Sequence, residues 1–162
     1  MFSLRVAMER HKQLFDISKS VWQSFSSAPL VLTDYSLEAS KVESPQWVYC
    51  QLSEDHVVLL GIDRNAGYQL AADMLDSSID TLSEEDEKDA MIELMNCICG
   101  LLDRDHPADK CFGLPRLLEL GGVKTLRNSL NKVAEVNANA GNKWFYIALF
   151  EDKSIGEYGG IE

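Results

Sequence analysis

Long apolar runs, basic charge and interdomain linkers are what this 162-residue sequence has least of. No uncharged apolar run approaches the roughly 20 residues of a membrane-spanning helix, so no transmembrane segment is expected. Fifteen Lys and Arg stand against twenty-six Asp and Glu, a formal net charge of -11. That deficit argues against a nucleic-acid surface, because neutralising phosphates takes basic residues. It argues equally against docking on an anionic membrane. Arg5, Glu9, Arg10, His11 and Lys12 interrupt the apolar core that an export signal would need. The four cysteines, Cys50, Cys97, Cys99 and Cys111, are therefore expected as reduced thiols in a cytoplasmic protein. No repeat or Pro/Gly/Ser-rich linker divides the chain, and its length suits one domain over residues 1–162. A chain of this size buries about 70% of its unfolded surface, enough to fold without a disulfide or metal staple.

Apolar residues Leu4, Met8, Leu14, Phe15, Val21, Trp22 and Phe25 recur at helical spacing and predict an amphipathic helix over residues 4–25. Leu30–Leu32 reads as an edge strand, and residues 33–45 as a polar connection ending at Pro45. Trp47–Leu52 and Val57–Ile62 read as strands around the acidic turn Ser53-Glu54-Asp55. Asp63 stands where a helix N-cap belongs, and Tyr68, Ala71, Ala72 and Leu75 give the next segment a helical stripe. Ser83 caps a longer helix, expected over 84–103, whose first turn carries Glu84, Glu85 and Asp86 at the positive end of the helix dipole. After a loop through Cys111 and Gly113, a short apolar stretch runs from Leu114-Pro115 to Gly121-Gly122. One or two helical turns are expected at 123–130. Val133–Asn139 and Trp144–Phe150 read as strands joined by the turn Ala140-Gly141-Asn142. The tail from Ser154 is expected to fray. Helices and strands mix without regular βαβ alternation, which favours an α+β fold over a doubly wound sheet.

The long helix is the informative element. At about 100° per residue, Met91, Ile92, Leu94, Met95, Ile98, Cys99, Leu101 and Leu102 share one apolar arc. Asp86, Asp89, Glu93, Asn96, Gly100 and Arg104 share the opposite one. Glu93 and Asn96 are neighbours at i,i+3, and Gly100 follows one turn on. Such a stripe is usually a solvated face. Asn and Gly are nevertheless poor helix residues, Gly costing about 1 kcal/mol against Ala. Their occurrence in successive turns suggests a face that another molecule approaches.

The segment Asp89-Ala90-Met91-Ile92-Glu93-Leu94-Met95-Asn96-Cys97-Ile98-Cys99-Gly100 resembles the signature helix of the CheC/CheX chemotaxis phosphatases. That signature is a Glu, two residues, an Asn, and a Gly four positions later. The strand and helix over 57–75, the Leu114-Pro115 to Gly121-Gly122 segment and the final hairpin resemble the family's surrounding elements. The resemblance is clearest over residues 45–150. With one motif rather than two, the chain is closer to CheX. It implies an α+β domain with a mainly antiparallel sheet and helices packed on it. It further implies two-component signalling, with hydrolysis of the aspartyl phosphate of a CheY-like response regulator. Asn96 would orient the attacking water, Glu93 would contact the regulator's lysine, and Asp89 and Gly100 would line the docking face. No cofactor of the chain's own is implied, since Mg²⁺ would sit on the regulator. The alternative is a catalytically idle module that keeps the fold and binds a receiver domain or another signalling protein. An edge strand leaves homodimerisation open.

Rival constellations are weaker. Cys97 and Cys99 stand two apart on a helix, project to different sides and do not match zinc-site spacing with His106 and Cys111. No activating arrangement is legible for a cysteine nucleophile with His56 or His106. Gly121-Gly122 lacks the Lys and Ser/Thr of a phosphate-binding loop. Ser83–Asp89 reads as a helix start with a solvated face. No metal site is expected.

Overall fold

Among the residues that the computed structural model describes (4–33, 45–103 and 113–152), six strands make one antiparallel sheet. They are β1 (Leu30–Leu32), β2 (Pro45–Gln51), β3 (His56–Asp63), β4 (Arg116–Leu117), β5 (Leu130–Ala140) and β6 (Lys143–Asp152). Their order across the sheet is β1-β5-β6-β3-β2-β4. The long central pairs β5–β6 and β3–β6 are both antiparallel. Pro45 opens β2, the position where a strand tolerates a missing N–H. Gly141 turns the β5–β6 hairpin with φ of +62°, a backbone conformation that glycine adopts without a Cβ clash.

Strand alternation sends one set of side chains to each face. On the inner face Val48, Cys50, Val58, Leu60, Ile62, Val136, Phe145 and Ile147 join residues of three helices in one core. These helices are α1 (Leu4–Phe25), α2 (Arg64–Leu75) and α3 (Glu84–Asp103). The outer face is aromatic. Trp47, Trp144 and Tyr146 pack edge-to-face and stacked with ring centroids 5.4–5.9 Å apart. They lie over Gly61, where a Cβ would come within 2.5 Å of the Trp47 ring. The short helix α4 (Leu120–Ser129) covers this side through Val123 and Leu126.

The α+β class, the edge strand Leu30–Leu32, the capped helices and the closing hairpin are as the sequence indicates. Three details differ. Gly121-Gly122 lies inside the first turn of α4 rather than ending an apolar stretch. Without a Cβ, Gly122 lets the Leu118 side chain fold against that turn. β5 starts at Leu130, earlier than its hydrophobic pattern suggests, because the ladder with β6 continues to Leu130↔Asp152 past an irregularity between Lys132 and Ala134. A 3₁₀ turn at Ile79–Thr81 links α2 to α3 with no apolar periodicity to announce it. The connection 34–44, the loop carrying Arg104, His106 and Cys111, and the tail from Ser154 lie outside the described residues. No described helix is long and apolar enough to cross a membrane.

Candidate functional site on helix α3

The start of α3 is fixed by a reciprocal cap. Ser83 Oγ accepts from the Asp86 N–H at 3.2 Å, and Asp86 Oδ2 accepts from the Ser83 N–H at 2.8 Å. Four acidic residues, Glu84, Glu85, Asp86 and Glu87, occupy the first turn, where the dipole favours them. Beyond it the helix divides as the wheel predicts. Met91, Leu94, Met95, Ile98 and Cys99 are fully buried, and they anchor the helix to the inner face of the sheet. Asp89, Glu93 and Asn96 are exposed and Gly100 is half-exposed. A Cβ built at Gly100 meets no atom within 4 Å, so the bare backbone is not an internal packing requirement.

Within the stripe, the Cys97 thiol donates to Glu93 Oε1 at 3.5 Å. Burial, together with this bond and the charge of Glu93, raises the Cys97 pKa. Cys97 thus stands as a donor beside the Glu93 carboxylate. The i,i+4 spacing of Glu93 and Cys97 is compatible with this contact. Cys97 is half-buried and Cys99 fully buried, so the two diverge. Cys50, Cys97 and Cys99 are free thiols. A hydrogen bond from Cys99 outweighs burial and lowers the Cys50 pKa.

One residue of the expected solvated face is not solvated. Glu87 is fully buried, and neither of its carboxylate oxygens has a hydrogen-bond partner. It lies against Gly67 of α2, where a Cβ would sit 2.7 Å from Glu87 Oε1. Desolvation pushes its pKa up to about 7, against the pull of Arg64 and Lys88 and with some help from Glu84. The correction has a simple cause: α2 covers that flank of α3, which no helical wheel of α3 alone can show.

The stripe can offer a partner an acid, an amide and an approachable backbone on a rigid support. The Asn96 side chain both donates and accepts hydrogen bonds, which suits it to orient a water molecule. Cavities of about 190 Å³ and 440 Å³ lie elsewhere, against α1, and neither is lined by Glu93 or Asn96. The stripe is an exposed helix face rather than the wall of a cavity.

An antiparallel sheet with helices packed on one face is the fold of solved CheX and CheC-like structures. The chain is similar to CheX of Borrelia burgdorferi in a CheX–CheY–BeF₃–Mg²⁺ complex, with a TM-score of 0.64 and 12% identity over 87% of this chain and 96% of that one. It is similar to the chemotaxis protein CheX of Desulfovibrio desulfuricans, with a TM-score of 0.61 and 12% identity over 89% and 99%. CheX of Vibrio vulnificus gives a TM-score of 0.52 and 13% identity over 85% and 96%. No family model matches the sequence, and no curated protein matches it. The chain has the CheX-like fold.

Proposed function

We propose that this protein hydrolyses the aspartyl phosphate of a CheY-like response regulator. The observation that carries the reading is the exposure of Glu93 and Asn96 together on a helix whose opposite side is sealed into the core. The motif resemblance and the CheX-like fold support it. Aspartyl phosphates are activated, and the regulator brings its own Mg²⁺ and lysine, so this chain needs no cofactor. What remains to be supplied is a water held in line with the phosphorus, and positioning is the dominant part of such catalysis. Asn96 holds that water. Glu93 pairs with the regulator's lysine, with Cys97 steadying its carboxylate. Asp89 and Gly100 border the contact.

The test is single-turnover phosphate loss from a phosphorylated CheY-like regulator, measured beside a binding titration. Asn96→Ala should leave binding largely intact and cut the accelerated hydrolysis about 100-fold or more, the usual loss for one oriented transition-state contact. Glu93→Ala should weaken association as well as turnover. Wild-type binding without any acceleration would make the protein an idle receiver-binding module. Full activity of Asn96→Ala would remove α3 as the catalytic element.

A further inference from the structure

A second constellation lies off α3, where the β2–β3 turn meets the end of β6. His56 is paired directly across the ladder from Glu151, so their side chains leave the same face as close neighbours. Asp55 precedes His56, and its backbone carbonyl accepts from the Asp152 N–H at 2.8 Å, which holds the turn against β6. One ligand atom from each of Asp55, His56 and Glu151 lies within 4.8 Å of the other two. We propose that these three side chains bind a divalent transition-metal ion of the Zn²⁺ type.

The geometry and the donor set support this. His56 Nδ1 and Asp55 Oδ1 are 3.0 Å apart, where a proton now joins them. Two ligands about 2.0–2.2 Å from Zn²⁺ at a tetrahedral angle lie roughly 3.4 Å apart, so an ion replaces that proton with a small outward shift. Glu151 completes the set from its place opposite His56 on β6. One imidazole and two carboxylates give a doubly negative set that matches a divalent charge. Ser53 Oγ donates to Asp55 Oδ1 at 2.8 Å, as outer-shell groups do for metal-bound carboxylates. All three residues are partly exposed, which gives an ion a path in. Three protein ligands leave a fourth position for water, and His56 also lines the cavity of about 190 Å³ with Leu52, Leu102 and Leu149. Arg10 lines the same cavity. Spacing along the chain hides the set, because Glu151 enters only through β3–β6 pairing.

The experiment is calorimetric titration of the full chain with Zn²⁺, repeated with Co²⁺ and read by absorption. One equivalent of Zn²⁺ should bind, with a Co²⁺ spectrum free of thiolate charge-transfer bands. His56→Gln and Glu151→Gln should each weaken binding by more than about 100-fold, beyond the loss typical of an outer-shell group. Ser53→Ala should cost about 10-fold. Zn²⁺ should raise the Tm of wild type but not of His56→Gln, and circular dichroism of each variant checks its folding. Three results would overturn the proposal: no Zn²⁺ binding by wild type, binding unchanged in folded His56→Gln and Glu151→Gln, or a thiolate Co²⁺ spectrum. None of these results bears on the phosphatase reading, which rests on α3.

Discussion

Helices α3 and α4 lie against opposite faces of one sheet, and they are held very differently. α3 commits five fully buried side chains, Met91, Leu94, Met95, Ile98 and Cys99, to the aliphatic inner core. In α4 the one buried residue is Val123, seated on an aromatic platform. The platform carries its own polar tie: Tyr146 donates to Glu135 Oε2 at 2.8 Å, with Lys132 Nζ at 3.1 Å from the same oxygen. Burial pushes Glu135 up, but these bonds and the nearby cations outweigh it and hold its pKa below the usual value. The comparison shows that the exposed stripe of α3 is backed by a sealed core, whereas α4 rests on the sheet by a single buried side chain.

The sharpest way to break this contrast is to hollow out the anchor of α3. Leu94→Ala should destabilise the protein by about 2–5 kcal/mol, whereas Leu126→Ala in the half-buried interface of α4 should cost clearly less. Urea denaturation of both variants measures the difference, and equal losses would dissolve it.

Next in size is the buried acid at the α2–α3 contact. Its pKa rises from 4.5 to about 7 on folding, so the folded state binds a proton more tightly than the unfolded one. Stability should therefore be full below about pH 4.5 and fall as pH rises through about 7. At 1.36 kcal/mol per unit, the loss above pH 7 approaches roughly 3 kcal/mol. Glu87→Gln should be nearly neutral at pH 4 and stabilising at pH 8. Chemical denaturation across that range tests the sign, and a wild-type stability flat with pH would refute it.

On the other face, Gly61→Ala would drive a Cβ to within 2.5 Å of Trp47 and 2.8 Å of Trp144. Overpacking of rigid rings should cost about 1–3 kcal/mol, read by thermal melting and tryptophan fluorescence. The smallest effect is expected at the stripe itself. Gly100→Ala meets open space and should stabilise the free protein by about 0.5–1 kcal/mol through helix propensity. Gly100→Trp should fold equally but bind a phosphorylated regulator less well. Undiminished binding would take Gly100 out of the docking face.

Much of this was legible locally. The Ser83 and Asp63 caps and the apolar period of α3 depend on neighbours within a few residues, and both helix starts stand where the sequence puts them. The exposure of Glu93 and Asn96 followed from the same period. Where the ladder carries a polar strand, as from Leu130 to Lys132 in β5, the pattern was silent because pairing rather than burial defines the element.

The sequence by itself determined the elements with a period or a cap, the side of α3 that seeks the core and the stripe that remains. It could do so because these are short-range consequences of backbone geometry and hydrophobicity. Tertiary structure alone decided the rest. It buried Glu87 under α2, set Trp47 and Trp144 over Gly61, and brought Glu151 to Asp55 and His56. Each of these depends on which surfaces meet across the sheet, and residues distant along the chain become neighbours only when strand pairing and helix packing close.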